Sequence, residues 1–388
     1  MKKRILGGLI AGVMCLTFTV QASAAELKVS DEQLPAACAS DWGYKDLTLR
    51  SNSEGRQRFY DKLTELYCGL WTSDEDVPLD NWCNRYVLHE AFLDDYGLTV
   101  DEAKEVYYAF RMDNPLIFYA SSRTMNVNYT EGNKQYSSML LLVDEDYASA
   151  AVRKGYQEQI KEYITEKAEG IAGLTRKYEI AKYFHDRMSE ESEYAYVEKN
   201  GYLYVDSSVK AHNILGIITE GRGVCESYAK TFELLLSYAG ISNVYVVGDA
   251  GGSHAWNIIQ MDNDKYYNFD ATWDDQNYGT IYNYFAKGST SFGKDHTPYT
   301  SDRTGADFCY DLPEVPEEDY DPNDILIKVF GDLDGNGVAN MRDLVLLQRF
   351  FNGFDTGIEP EDADFNNDGR TNLKDFVFLQ RYINGYTA

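Results

Sequence analysis

Near its C-terminus the chain repeats one twelve-residue pattern. Asp332-Leu333-Asp334-Gly335-Asn336-Gly337-Val338-Ala339-Asn340-Met341-Arg342-Asp343 returns as Asp364-Phe365-Asn366-Asn367-Asp368-Gly369-Arg370-Thr371-Asn372-Leu373-Lys374-Asp375, 32 residues on (364 − 332). In both copies oxygen-bearing side chains fall at places 1, 3, 5, 9 and 12, and Gly337 or Gly369 stands at place 6. Closely spaced carboxylates repel one another, so such a segment closes only around a hard cation. The pattern is that of a Ca²⁺ loop with a sharp turn at the glycine. The expected ligands are Asp332, Asp334, Asn336, Asn340 and Asp343, then Asp364, Asn366, Asp368, Asn372 and Asp375, with Val338 and Arg370 giving backbone carbonyls. Place 12 is Asp instead of the usual EF-hand Glu, no long helix enters either loop, and Pro360 precedes the second. Each unit therefore reads as a loop with one exiting helix. The stripe Leu344, Leu347, Phe350 and Phe351 matches Phe376, Leu379, Tyr382 and Ile383 at the repeat offset, and the two stripes can bury each other.

At the other end, Lys2, Lys3 and Arg4 precede an uncharged apolar run from Ile5 to Val20, followed by Ala22-Ser23-Ala24. This reads as a secretory signal peptide over residues 1–24, too short to span a bilayer. Cleavage removes three of 36 basic residues and none of 63 acids, so the mature charge is 33 − 63 = −30. Such a surface repels phosphate backbones, which argues against nucleic acid as a partner. No later stretch is apolar enough for membrane insertion. Five cysteines remain: Cys38, Cys68, Cys83, Cys225 and Cys309. The odd count leaves one thiol over for reactivity, and at least one disulfide is expected among the other four, most simply Cys68 to Cys83.

Between these ends, residues 25–150 read as a mixed region without a chemical motif. Helices are expected over Glu54 to Cys68 and Asp101 to Met112, and strands over Ile117 to Tyr119 and Ser138 to Val143. Two further helices are expected over 152–169 and 175–189. His185, on the apolar face of the second, is expected to be a hydrogen-bonded core histidine. Residues 151–308 form the next unit, 309–328 an acidic linker with Pro313, Pro316 and Pro322, and 329–388 the loop repeat.

Gly221-Arg222-Gly223-Val224-Cys225 leads into a helix with Tyr228, Phe232, Leu235, Leu236 and Ala239 on its apolar stripe. Cys225 then sits in the first turn, where exposed N–H groups and the positive dipole end favour a thiolate and could stabilise an oxyanion. A strand from Asn243 to Val247, a glycine-rich turn, a strand from His254 to Met261, the turn Asp262-Asn263-Asp264 and a strand from Lys265 to Asp270 follow. With a three-residue turn Met261 faces Lys265, so His254 falls opposite Thr272 and Asp270 is its diagonal neighbour. Cysteine, histidine and acid are the parts of a nucleophilic triad. Asp274 and Asp275 are rival acids beyond the hairpin's expected end.

The blocks GRGVCESYAKTFELLL, SHAWNII and YYNFDATWDD, in this order over residues 175–285, resemble the transglutaminase-like, papain-related cysteine enzymes. FRMDNPLIFY resembles a stretch often seen ahead of this domain in bacterial members. The resemblance implies Cys225 as nucleophile, His254 as general base and acid, and Asp270 as the residue that orients the imidazole. It implies no catalytic cofactor. No side chain that completes an oxyanion hole is legible. The loop repeat, over residues 330–386, resembles a type I dockerin, the module that binds cohesin domains of cellulosomal scaffolds. That resemblance implies two Ca²⁺ ions and a cohesin-facing set at loop places 10 and 11 and further along each helix: Met341, Arg342, Gln348, Arg349, Leu373, Lys374, Gln380 and Arg381. The expected fold class is α+β: a transglutaminase-like core with its cysteine-bearing helix packed on an antiparallel sheet, plus a small all-α calcium-binding dockerin domain.

The function expected from these readings is a secreted, cellulosome-displayed cysteine enzyme acting on protein or peptide amides. Water as acceptor makes it a peptidase or amidase. The alternatives are a protein-crosslinking transglutaminase, or a non-catalytic component of a polysaccharide-degrading complex. No carboxylate pair suited to glycoside hydrolysis is evident.

Overall fold

The structure, a computed structural model, describes residues 30–301, 308–322, 330–334, 339–354, 356–358, 360–366 and 370–385. The expected signal peptide and three expected Ca²⁺ ligands, Asn336, Val338 and Asp368, lie outside the described residues. Contacts divide the chain into two units, one running to Asp319 and one starting at Tyr320, with the turn Asp262–Lys265 assigned to the second.

In the first unit the N-terminal layer pairs helices with a four-stranded antiparallel sheet. The helices are Trp42–Leu49, Ser53–Thr72 and Val100–Asp113. The sheet runs in the order Leu79–Asp80, Arg85–Phe92, Lys134–Val143, Met125–Glu131. Thr99 and Glu102 form a capping box that starts the third helix, each satisfying the other's backbone N–H. The aromatic spacing that predicted these helices buries Phe59, Tyr67, Tyr107 and Phe110. Ile117–Tyr119, expected as a strand, is a buried turn: the N–H of Ile117 donates to Asn114 O and that of Ala120 to Ile117 O. Its apolar run reflects burial, since both faces of a turn can be covered as fully as those of a strand.

Two helices, Ala150–Gly170 and Lys177–Glu191, lead into the second layer. There the helix Cys225–Tyr238 packs on an antiparallel sheet ordered Tyr266–Phe269, Ser253–Gln260, Asn243–Asp249, Thr297–Pro298. The helix buries Tyr228, Phe232, Leu235 and Leu236, and its N-cap Val224 brings no side-chain hydrogen bond. Gly221 holds φ +59° as the C-cap of the preceding helix Ile214–Glu220, a conformation costly for other residues. At Gly223 an added Cβ would lie 2.5 Å from Ser227 Cβ, so only glycine lets the chain turn this tightly into the cysteine helix.

The segment expected to be a linker begins inside this unit. Cys309 and Tyr310 are buried, Tyr310 Oη donates to Tyr245 O at 2.7 Å, and the N–H of Asp311 donates to Asp46 Oδ1 at 2.9 Å. No disulfide joins the five described cysteines, which corrects the expected disulfide. Cys68 belongs to a regular helix, whereas Cys83 sits in the turn before Arg85–Phe92. Nothing in either local fold joins them.

Among its described residues the second unit has the α-helices Met341–Phe351 and Leu373–Ile383 and a short 3-10 turn Pro360–Ala363. Leu344, Leu347, Ala363, Phe365 and Leu379 form its core, with Phe350, Phe351, Phe376 and Ile383 packed around them. The stripes expected to meet do meet, although Tyr382 stays 36% exposed.

Candidate functional site

Residue pairing in the central hairpin is Gln260 with Tyr266 and Asn257 with Phe269. Extended by one register step, this pairs Met261 with Lys265, as the three-residue turn predicted; pairing ends at Asn257 with Phe269, and Thr272, expected opposite His254, belongs instead to a short helix. Asp270 lies just past the last paired residue, where it caps the short helix Ala271–Asp274. Its Oδ1 accepts the N–H groups of Thr272 and Trp273 at 2.9 and 3.2 Å. Its Oδ2 is 2.8 Å from His254 Nε2. The Cys225 sulfur lies close enough to the imidazole to raise its proton affinity. With Nε2 on the carboxylate, Nδ1 is the nitrogen left to face the sulfur. Cys225, His254 and Asp270 thus come together from a helix start, a strand and a strand end.

Electrostatics reinforce this chain. Burial opposes a charge on His254, yet the hydrogen bond to Asp270 and the neighbouring Cys225 outweigh it and push the imidazole up to about 10. Burial works to raise the Asp270 carboxyl too. The hydrogen bonds with His254 and His296 prevail and hold it below the ordinary carboxylate range. The rival acids have other partners: Asp274 Oδ2 lies 3.2 Å from His185 Nε2, and Asp275 accepts from Tyr228 Oη. His185 is fully buried and also bonds Asp186, the hydrogen-bonded core histidine that was expected.

Three neighbours of the site were not found by sequence reasoning. His296 Nε2 is 3.1 Å from Asp270 Oδ2, on the oxygen that His254 also uses. It lies in a loop beyond the hairpin, where no periodicity marks it; that the chain has only five histidines was the one available signal. Tyr194, whose strand Glu193–Tyr194 runs parallel to Arg222–Gly223, packs beside Val224. Burial and the nearby Cys225 sulfur raise its phenol to about 12, and a hydrogen bond with the Cys225 backbone works the other way. Met112, from the N-terminal layer, packs with Cys225 and Val247 against Ala229, Tyr245 and Ala255. The region without a chemical motif therefore forms one wall beside the thiol.

In the second unit, Asp332, Asp334 and Asp343 bring carboxylate oxygens within 4.8 Å of one another. Asp343 Oδ1 accepts the N–H groups of Leu333 and Asp334, and Oδ2 that of Asn340, which folds the loop back on its place-12 residue. Asp375 does the same with Asn366 and Asn372. Asn340 and Asn372 cap their helices through Arg342 N and Lys374 N. Three acceptor-only groups gathered this closely fit a hard oxygen-seeking cation, and Ca²⁺ suits the donor set. In the second loop Asp364, Asn366, Asn372 and Asp375 are the described side-chain donors, and the Arg370 carbonyl accepts from Asn372 Nδ2 at 2.8 Å. All eight residues expected to face a partner are exposed. Val345 and Val377, 52% exposed each and again 32 apart (377 − 345), share their helices and were not expected.

The family model described as Transglutaminase-like superfamily matches residues 165–271, and that described as Dockerin type I domain matches residues 330–384. No curated protein matches the sequence. Among solved structures the chain is similar to a TGase, at 14% identity and TM-score 0.25, over 39% of this chain and 44% of that one. It thus spans less than half the length of that protein. It is also similar to a "Putative Cysteine Protease from Cytophaga hutchinsonii", at 14% identity and TM-score 0.25, over 48% of this chain and 68% of that one. The chain carries a transglutaminase-like domain followed by a C-terminal type I dockerin domain.

Proposed function

We propose that the chain is a cysteine-dependent acyl-transfer enzyme that cleaves amide bonds of proteins or peptides and is held on a scaffold cohesin by its dockerin. The observation that carries this reading is the 2.8 Å hydrogen bond between His254 and Asp270, with the Cys225 thiol beside the imidazole at an N-terminal helix position. The Cys225 thiolate attacks the amide carbon; an S–C bond forms as the carbonyl electrons move onto oxygen. Collapse breaks the C–N bond, and the leaving nitrogen takes the proton of His254. Water then attacks the thioester while His254 accepts its proton, releasing the acid and the thiolate. Asp270 holds the imidazole with Nδ1 toward sulfur. The Cys225 N–H and the Tyr194 phenol, which lies against the Cys225 backbone, serve as candidate donors to the oxyanion.

An amine in place of water gives transamidation through the same thioester. Hydrolysis is favoured because a wet extracellular site offers water in vast excess. Ca²⁺ in the dockerin closes the two loops and fixes their exiting helices, so that the exposed helix faces can meet a cohesin; catalysis is assigned to protein side chains alone. Secretion through an N-terminal signal peptide suits display on an extracellular scaffold. No described helix is long and apolar enough to cross a membrane.

The test is mass spectrometry of a peptide library incubated with the wild type and with Cys225→Ala, with and without a primary amine. Cleavage by the wild type alone supports the hydrolase. Amine incorporation without cleavage supports the transglutaminase. Identical spectra for both proteins would exclude an enzyme acting on peptides.

A further inference from the structure

His296 lies between the short helix Ser289–Phe292 and the edge strand Thr297–Pro298. Its N–H donates to Phe292 O, and Thr297 and Pro298 pair with Asp249 and Gly248, so the backbone on both sides is anchored. The imidazole is only 2% exposed, with Phe292 and Trp273 rings at 4.2 and 4.5 Å between centroids. A ring so enclosed has little freedom to rotate away from its hydrogen bonds.

Both ring nitrogens face carboxylates: Nε2 lies 3.1 Å from Asp270 Oδ2 and Nδ1 lies 2.7 Å from Asp295 Oδ1. Ionised carboxylates only accept, and a neutral imidazole has a single proton to give. Both contacts are hydrogen bonds only when His296 carries two protons. The remaining groups leave that accounting intact. Asp295 Oδ2 is taken by the Tyr284 hydroxyl at 2.8 Å, and Asp270 Oδ1 by the Thr272 and Trp273 N–H groups. The His254 ring centroid is 5.6 Å away, and Asp274, one helical turn from Asp270, is engaged with His185.

We propose that His296 is a positioning residue: an imidazolium clamped between Asp270 and Asp295 that holds Asp270 Oδ2 toward His254 and sets the pH window of the thiolate–imidazolium pair. The proposal rests on the triad reading above. Asp270 Oδ2 divides itself between two imidazoles, so each receives less of its charge than a sole partner would. Removing the His296 cation leaves Asp270 wholly to His254 and Asp295 without its counter-charge. Both changes stabilise protonated His254 and disfavour the Cys225 thiolate, so both limbs of the window move to higher pH. Two unit charges about 5.6 Å apart, at an effective dielectric of about 20, interact strongly enough to shift a titration by about one pH unit or more.

The experiment measures the rate of Cys225 alkylation by iodoacetamide against pH in the full calcium-loaded chain, for the wild type and His296→Gln, with near-ultraviolet circular dichroism as the check on folding. An upward shift of the limbs by about one unit is the expected result. Superimposable profiles in a folded variant would overturn the inference while leaving the triad intact. A wild-type Cys225 no faster than Cys83 at pH 7 would overturn the triad reading, and the inference with it. Because His296→Gln could fail to fold, ¹⁵N spectra of the wild-type imidazoles provide an independent decision. Two protonated ring nitrogens on His296 at pH 7 support the inference; a neutral tautomer overturns it.

Discussion

His254 and Asp270, 16 residues apart, meet at 2.8 Å through the geometry of one hairpin. The turn Asp262-Asn263-Asp264, with Asp264 at φ +60°, sets the register. The acid then leaves the strand and caps the next helix, which aims one oxygen at the imidazole and ties the other to backbone N–H groups.

That arrangement predicts which thiol reacts. Burial pushes Cys38 far up and Cys68 up to about 12, so neither should be alkylated at neutral pH. Cys225, paired with His254, should label first by peptide mapping, and His254→Ala should remove that advantage. Cys225→Ala should abolish turnover with a thermal midpoint near the wild type. Asp270→Asn should fold and lose about 10²- to 10⁴-fold in kcat, since it keeps the nucleophile and misorients the imidazole.

The alkaline limb of activity should follow His254. Its folded-state proton affinity is raised to about 10, so the protonated imidazole, and the stability it brings, are fully present below the unfolded value near 6.5 and are lost as pH rises through about 10. Peptide turnover should fall above about pH 10 in the wild type. A limb already falling near pH 7 would contradict the proposed pairing of His254 with Asp270 and the thiol.

Asp113 should give the first unit a pH dependence of its own. Its carboxyl is wholly buried and accepts from Gly43 N, Tyr44 N, Tyr60 Oη and Ser40 Oγ. Burial nevertheless dominates and raises it to about 7. The folded state therefore binds the proton more tightly than the unfolded chain, and this contribution to stability declines as pH rises from about 4 to about 7. Asp113→Asn should flatten that decline in urea titrations. It should also cost about 2 kcal/mol or more, because an amide N–H₂ is turned toward existing donors.

Calcium should fold the dockerin. With the Asp332, Asp334 and Asp343 oxygens gathered within 4.8 Å, repulsion opposes the closed loop until a cation offsets it. EDTA should melt residues 330–386 in circular dichroism, and Ca²⁺ at a hundred times its Kd should restore about 2.7 kcal/mol per site. Asp332→Ala with Asp364→Ala should mimic EDTA and abolish cohesin capture, with peptide turnover unchanged. An isolated module that stayed folded and captured cohesin in EDTA would contradict the coupling.

Val345 and Val377, exposed beside Met341 and Leu373, should add apolar area to a cohesin contact. Val345→Asp or Val377→Asp alone should weaken capture less than both together, if each of the two similar helix faces can bind. Surface binding kinetics on immobilised cohesin read the difference.

Features whose physics is local can be read along the chain alone. Loop chemistry is written in twelve consecutive residues. The place of Cys225 at a helix start follows from glycines, an apolar stripe and a closing glycine. The meeting of His254 with Asp270 follows from period-two strands and a short turn. Tertiary structure decided whatever depends on packing between distant segments. Ile117–Tyr119 has the apolar content of a strand, but a buried turn covers it equally well. The lack of a disulfide among the described cysteines, the burial of Cys309 and Tyr310, and Met112 beside Cys225 depend on how layers stack. His296 reaches Asp270 only because its edge strand docks on Asn243–Asp249. No periodicity encodes a contact made across layers, so side chains in loops acquire their chemistry only once the layers have packed.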